Sequence, residues 1–206
     1  MTTPRTPLVL YHDNCPDGFT AAWAVWKALG DGAEYRPMNY GQSMPSSPSD
    51  YEGRRLIFVD FSLPREQLEK LIRFGAHVEV YDHHKTAEAD LSDLSGAKVV
   101  FDMERSGAGI TYDEFHRQPV QVDYPKETWR APRPPLINYV EDRDLWRWRL
   151  PDSREVSEYV FSVERTFEQW EQLAVDVEHH YKQIVEAGKA LLRAKRVRVA
   201  KVCENV

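Results

Sequence analysis

Two cysteines in 206 residues, Cys15 and Cys203, lie far apart and lack C-x-x-C spacing. That excludes a disulfide framework and a cysteine-built zinc knuckle as the source of stability. Such sparing use of thiols fits a reducing compartment, and the cytoplasm is the expected location. No apolar run approaches the roughly 20 residues needed to cross a bilayer. The first residues, Met1-Thr2-Thr3-Pro4-Arg5, supply no hydrophobic signal segment ahead of Leu8-Val9-Leu10. Neither membrane insertion nor export is expected. A basic excess is also missing: 27 Lys and Arg stand against 33 Asp and Glu, for a formal charge of −6. A protein that grips long duplexes through many phosphate contacts needs the opposite balance, whereas a short anionic substrate held through metal ions remains compatible. Internal repeats and low-complexity tracts are absent. What is there is 42% hydrophobic residues, enough to fill one substantial domain, or a domain with a helical appendage.

The apolar run Pro7 to Tyr11 ends at His12 and reads as a buried strand. Asp13 to Gly18 form a loop, and Phe19 to Leu29 an apolar helix closed by Gly30-Asp31-Gly32. Ala33 to Met38 is a weaker strand candidate, followed by a long exposed loop from Asn39 to Gly53. The opening pattern recurs in Arg55 to Asp60, a strand whose last member is an acid, and Pro64 to Phe74 follows as a helix with proline in its first turn. His77 to Tyr81 is a strand that runs out into Asp82-His83-His84, and Lys85 to Glu88 reads as a polar loop. Ala97 to Phe101 is a further strand, and Ser106-Gly107-Ala108-Gly109 opens a helix running to about His116. Prolines at 119, 125, 132, 134 and 135 mark an irregular connection. Leu136 to Val140 is helical and leads into the acid cluster Glu141, Asp142 and Asp144. From Ser153 to Leu192 the pattern is mostly helical, and Val163 to Leu192 reads as one long helix without proline. The expected fold is α/β, a mainly parallel sheet flanked by helices, with a long C-terminal helix. The expected domains are 1–150, carrying the chemistry, and 151–206, a helical extension that packs on its own domain or pairs with a second copy in a homodimer.

Right-handed crossovers between parallel strands bring His12, Asp60 and Asp82-His83-His84 to one edge of the sheet. Open α/β sheets place their ligands at that edge. Taken singly, each acid after a strand is an ordinary helix cap or loop residue. Jointly they form a carboxylate and imidazole set suited to hard divalent ions, with imidazole shifting the preference towards Mn²⁺. Two such ions about 3.5 to 4 Å apart can activate water and stabilise the leaving oxygen of a phosphate ester.

The spaced set His12, Asp17-Gly18, Asp60, Asp82-His83-His84 and Asp142 resembles the DHH phosphoesterase superfamily, over residues 7 to 148. That family includes RecJ-like exonucleases, short-oligonucleotide hydrolases, cyclic-dinucleotide phosphodiesterases and pyrophosphatases. The resemblance implies two Mn²⁺ or Mg²⁺ ions held by His12, Asp17, Asp60, His83 and Asp142, with Asp60 bridging them. His84 would face the scissile phosphate, and Asp82 would orient a ligand imidazole. The implied activity is hydrolysis of a phosphodiester in a short nucleic-acid fragment or small nucleotide by a metal-activated water. The alternatives are a pyrophosphate or phosphomonoester hydrolase, or a degenerate member that binds a nucleotide or partner without turnover.

Two departures stand out. The family's first motif carries two aspartates one residue apart, and the position two before Asp17 is Cys15. A thiolate is a soft ligand, so the first metal site is weak, rebuilt with Asp13, or taken by another ion; alternatively Cys15 is a small packed side chain and no ligand at all. The Gly-rich substrate-holding motif of a second domain is also missing, and Val163 to Leu192 looks like the linker helix that precedes it, in a minimal member or a fragment of a longer chain. Asp142 and Asp144 compete for the last ligand position; Asp142 is favoured because it directly follows the apolar segment Ile137 to Val140. Ser106 and Gly107 either present backbone amides to a substrate phosphate or simply cap and pack a helix.

Overall fold

The computed structural model describes residues 5–116 and 133–203. The chain divides into two compact units, Met1–Arg133 and Pro134–Val206. The irregular connection expected from Pro119 to Pro132 lies outside the described residues.

In the first unit, five parallel strands form one sheet. They are β1 (Leu8–His12), β2 (Glu34–Met38), β3 (Arg55–Val59), β4 (His77–Asp82) and β5 (Ala97–Phe101), in the spatial order β2-β1-β3-β4-β5. Because side chains alternate along a strand, Leu8, Leu10, Leu56, Phe58, Val78 and Val80 share one face. There they pack with Leu68 and Leu71 of helix α2 (Arg65–Arg73) and Leu91 of α3 (Lys85–Leu91). The opposite face is covered by α1 (Pro16–Leu29) and α4 (Gly107–Phe115), which also pack on each other. Tyr11 meets Phe19 of α1 edge-on, and Tyr81 meets Phe115 of α4. Burial on both faces is why the strands read as near-continuous apolar runs. Each fully buried side chain such as Phe58 or Leu10 contributes about 1.5–3 kcal/mol. The α/β class and the parallel sheet are as expected.

Local differences have local causes. Helix α1 starts at Pro16, ahead of the apolar run, because proline fits a first helical turn. The segment 85–91 is the helix α3, not a loop: Ala87 and Leu91 are buried four residues apart, while the intervening polar residues face outward and hide the period.

The second unit holds α5 (Pro135–Asp144), α6 (Ser153–Ser162), α7 (Phe167–His179) and α8 (Tyr181–Cys203). Helix α8 is the long C-terminal helix. The single helix expected over 163–192 is instead two: Thr166 caps α7 by accepting from Gln169 N at 3.2 Å, and the chain breaks at His180, whose ring is 2.9 Å from Asp176. Gly188 permits the close crossing of α8 over α6, since a Cβ there would lie 2.0 Å from the Glu155 carbonyl oxygen. Residues 134–150 pack with these helices, through α5 against α6 and α7, and so group with the second unit. No helix among the described residues is long and apolar enough to cross a membrane.

Candidate metal centre

The strand order reverses its winding between β1 and β3, where an open parallel sheet leaves a crevice at the carboxyl ends of its strands. His12 closes β1, Asp60 follows β3, and Asp82 closes β4 with His83 and His84 after it. Apolar strand interiors followed at once by acids and imidazoles put the polar groups at this edge.

Asp60 sits at its centre. Its backbone is left-handed, φ 52°, a conformation that costs a non-glycine residue of order 1 kcal/mol or more and persists only where the surroundings impose it. Its amide donates to the Tyr81 carbonyl at 2.9 Å, tying the end of β3 to β4. Oδ1 lies 3.1 Å from His83 Nε2, and Oδ2 lies 3.7 Å from His12 Nδ1, beyond hydrogen-bond reach. Burial by itself raises the carboxyl pKa; the nearby imidazole of His12, the hydrogen bond with His83 and the charge of His83 and His84 outweigh it and bring Asp60 down to about 2.

Asp82 is fully buried. Its Oδ1 accepts from the amides of His83 at 2.7 Å and His84 at 3.2 Å, and lies 2.6 Å from His84 Nδ1. A carboxylate can only accept, so Nδ1 carries the proton and a neutral His84 keeps its lone pair on Nε2. Asp82 thereby fixes the tautomer and ring plane of His84.

Asp17, 1% exposed, reaches across to the start of α4, where Oδ2 accepts from Gly107 N at 2.7 Å and Oδ1 from Ala108 N at 3.1 Å. Its Oδ2 is also 3.6 Å from His83 Nε2. Two glycines make this possible: a Cβ on Gly107 would lie 2.5 Å from the Asp60 Cβ, and one on Gly18 would lie 2.4 Å from the His12 carbonyl oxygen. The donors considered for a substrate phosphate are therefore already committed. Gly107 and Ala108 donate to Asp17, and Gly109 donates to Ser106 Oγ at 3.2 Å. Ser106 is an N-cap and Gly107 a close-approach position.

Three buried carboxylates crowd one sheet edge. Asp60 Oδ2 and Asp82 Oδ2 are buried without a hydrogen-bond partner, which is costly for an anion. Asp60, Asp82, His83 and His84 each offer a ligand atom within 4.8 Å of the others, and His12, Cys15 and Asp60 do the same. Asp60 belongs to both groups. Oxygen and imidazole donors with two unsatisfied anionic oxygens fit divalent cations. The Asp60, Asp82, His83 and His84 group can hold a metal ion.

Asp142 belongs to the second unit. There its Oδ1 accepts from Arg149 N at 2.9 Å, and its Oδ2 from Leu150 N at 3.3 Å and Ser153 Oγ at 2.6 Å. It holds a turn in which Trp146, Trp148 and Asp152 all adopt positive φ. Of the other site residues, the structure brings His12, Asp17, Asp60, Asp82, His83 and His84 together.

Tyr40 was not singled out by sequence, being one aromatic in a loop rich in Ser, Pro and Gly. It is 53% exposed, with its ring centroid 5.2 Å from that of His12, 5.3 Å from Phe61 and 6.0 Å from His84. Burial, and then the negative charge of Asp82 and Asp60, push its hydroxyl pKa upward. Only folding brings it beside His12 and His84.

No protein-family model matches the chain. It is 26% identical over 213 aligned residues to the uncharacterized protein R106 of Acanthamoeba polyphaga mimivirus, a match that covers 98% of this chain and 47% of that protein. The chain thus spans about half the length of the curated relative it matches. RecJ from Thermus thermophilus, solved in complex with Mn²⁺, superposes with a TM-score of 0.38 and 18% identity, over 75% of this chain and 21% of RecJ. An uncharacterized protein from Helicobacter pylori G27 superposes with a TM-score of 0.61 at 16% identity, over 93% of this chain and 63% of that one, and what the two share is a fold.

Proposed function

We propose that this chain is a metal-dependent phosphoesterase that hydrolyses a phosphodiester in a short nucleic-acid fragment or small nucleotide. The observation that carries this reading is Asp60, buried, charged, with an unsatisfied oxygen, and common to two candidate ligand groups. Divalent ions held by Asp60 together with His12, Asp82, His83 and His84 would supply an activated water and neutralise charge on the leaving oxygen.

The chain's own residues divide the remaining work. His12 and His83 present imidazole nitrogens on either side of Asp60. Asp17 anchors α4 through the amides of Gly107 and Ala108 and places Oδ2 3.6 Å from His83 Nε2, beside the other candidate ligands. Asp82 holds the His84 ring through Nδ1, so that, once protonated at Nε2, His84 would donate towards a phosphate oxygen or a leaving group. Tyr40 offers an exposed ring beside the ligands on which a nucleobase can stack, and this favours a nucleotide over bare pyrophosphate. For Asp142 we read a structural role, because its oxygens are already hydrogen-bonded within their own unit.

The test is hydrolysis of a dinucleotide, a cyclic dinucleotide and pyrophosphate with Mn²⁺ by the wild-type chain and by Asp60→Asn. Turnover of a dinucleotide substrate by the wild type and its loss in the variant is the expected result. Pyrophosphate cleavage alone would move the chain to the pyrophosphatase reading. Calorimetric Mn²⁺ binding with no hydrolysis of any of the three would overturn the enzyme in favour of a binding protein.

A further inference from the structure

The two ligand groups that share Asp60 differ in chemistry. One offers carboxylates and imidazoles only, whereas the other contains a sulfur: His12, Cys15 and Asp60 each have a ligand atom within 4.8 Å of the other two. We propose that His12, Cys15 and Asp60 form a site for a thiophilic divalent ion of the Zn²⁺ class, so that the centre holds two unlike ions side by side.

Several observations converge on this. Asp60 is 1% exposed and its Oδ2, the oxygen nearer His12, is buried without a hydrogen-bond partner. An anionic oxygen left in that state is a ligand in want of a cation. Cys15 is partly buried at the start of α1, in the loop that follows His12. Asp13, the acid considered as a replacement for the sulfur, is turned elsewhere. Its Oδ1 accepts from Asn14 N at 2.8 Å, and its Oδ2 from Asn14 Nδ2 at 3.0 Å and Asn39 Nδ2 at 3.4 Å. The site is thus built with Cys15 and not rebuilt with Asp13.

Sulfur, imidazole and carboxylate are each ligands that zinc takes, and three of them leave a fourth position for solvent or substrate. Zn–S and Zn–N bonds of about 2.3 and 2.0 Å around a tetrahedron place ligand atoms roughly 3.5 Å apart, a modest contraction of the separations present. Thiolate discriminates against Mn²⁺ and Mg²⁺ and in favour of Zn²⁺ and Co²⁺. The neighbouring Asp60, Asp82, His83 and His84 group has no sulfur and no such bias. This inference does not need the phosphoesterase reading, since the same three residues would hold the ion in a chain that turns nothing over.

Cobalt serves as the spectroscopic stand-in for zinc. Wild-type chain titrated with Co²⁺ under reducing conditions should develop a thiolate-to-metal charge-transfer band in the near ultraviolet. The band should survive in Cys203→Ser, vanish in Cys15→Ser, and be bleached by Zn²⁺ but not by an equal concentration of Mn²⁺. Cys15→Asp should weaken Zn²⁺ binding by about tenfold or more and tighten Mn²⁺. In the unaltered chain Zn²⁺, and not Mn²⁺, should slow alkylation of Cys15 as mapped on peptides, a readout that does not depend on any variant folding. Co²⁺ uptake without the band, a band that persists in Cys15→Ser, no uptake of Co²⁺ or Zn²⁺, or alkylation unaffected by Zn²⁺ would each overturn the site. Failure of dinucleotide hydrolysis with the band present would remove the enzyme and leave the site standing.

Discussion

Asp60 and Asp142 look alike from outside: each is a buried acid next to the end of an apolar element. Their surroundings are opposite. Asp142 accepts three hydrogen bonds from a turn directly downstream, and both oxygens are satisfied within its own unit. Asp60 sits in a strained backbone conformation against imidazoles, with one oxygen unsatisfied, and Asp82 nearby repeats that last feature. A buried carboxylate is retained either because the chain supplies its donors or because something else does. The first kind staples a fold and the second marks a place for a cation.

Substitution at the two acids should therefore separate stability from metal binding. Asp60→Asn keeps the shape and removes the charge that both ligand groups share. The expected result is loss of Mn²⁺ binding in calorimetry and a fall in hydrolysis of about 10³-fold or more. Full turnover in that variant would dismantle the shared-ligand geometry. Asp142→Ala should cost about 2–4 kcal/mol in chemical denaturation, because it strands two amides and a serine hydroxyl. Metal stoichiometry of the folded fraction should stay as in the wild type; a lost ion there would return Asp142 to the ligand set.

The glycines draw the same contrast more finely. In Gly107→Ala the new methyl meets Asp60 itself, at 2.5 Å from its Cβ and 2.9 Å from Oδ1. Stability should fall by about 1–3 kcal/mol, and Mn²⁺ affinity should fall with it. Gly188→Ala forces a similar clash against Glu155 in the second unit and should lower stability alone. Equal metal affinity in the two variants would mean that α4 does not position Asp60. Tyr40→Ala leaves the ligands in place; if a base stacks on that ring, it should raise KM for a dinucleotide several-fold, in line with about 1–3 kcal/mol per stacked base, and leave pyrophosphate unaffected.

What could be read in the sequence was local. Apolar strands that stop abruptly at His12, Asp60 and Asp82 announce a polar sheet edge, and Ser106 announces the start of α4, whose amide at Gly109 it accepts. What could not be read was set by distant or delayed partners. Asp17 finds its donors 90 and 91 residues further along, so the amides of Gly107 and Ala108 look available until the chain folds. Asp142 is satisfied by a turn whose strained residues carry no glycine to give it away. The break between α7 and α8 has neither proline nor glycine and rests on Thr166 and on His180 beside Asp176. Tyr40 gains meaning only from where its loop lands.

A third acid completes the comparison and gives the smallest effect. Glu79, inside β4, has a permanent cation as partner: Arg55 Nε donates to Oε1 at 2.7 Å and its Nη2 to Oε2 at 3.0 Å, while the Tyr81 hydroxyl donates to Oε2 at 2.7 Å. Burial by itself raises the carboxyl pKa, and the hydrogen bonds from Arg55 and Tyr81 with the charge of Arg55 and Lys98 outweigh it, so the net shift is downward. A carboxyl depressed in the folded state contributes stability above its ordinary value near 4.5 and loses that contribution as pH falls towards the folded value. With the Arg55 side chain 35% exposed, solvent screening limits the pair to about 1 kcal/mol or less. Glu79→Gln should accordingly flatten the fall in stability below about pH 4.5 without changing Mn²⁺ binding at neutral pH. An acid slope as steep as that of the wild type would show that the pair contributes nothing, and that the acid sensitivity of the fold lies with the carboxylates at the sheet edge.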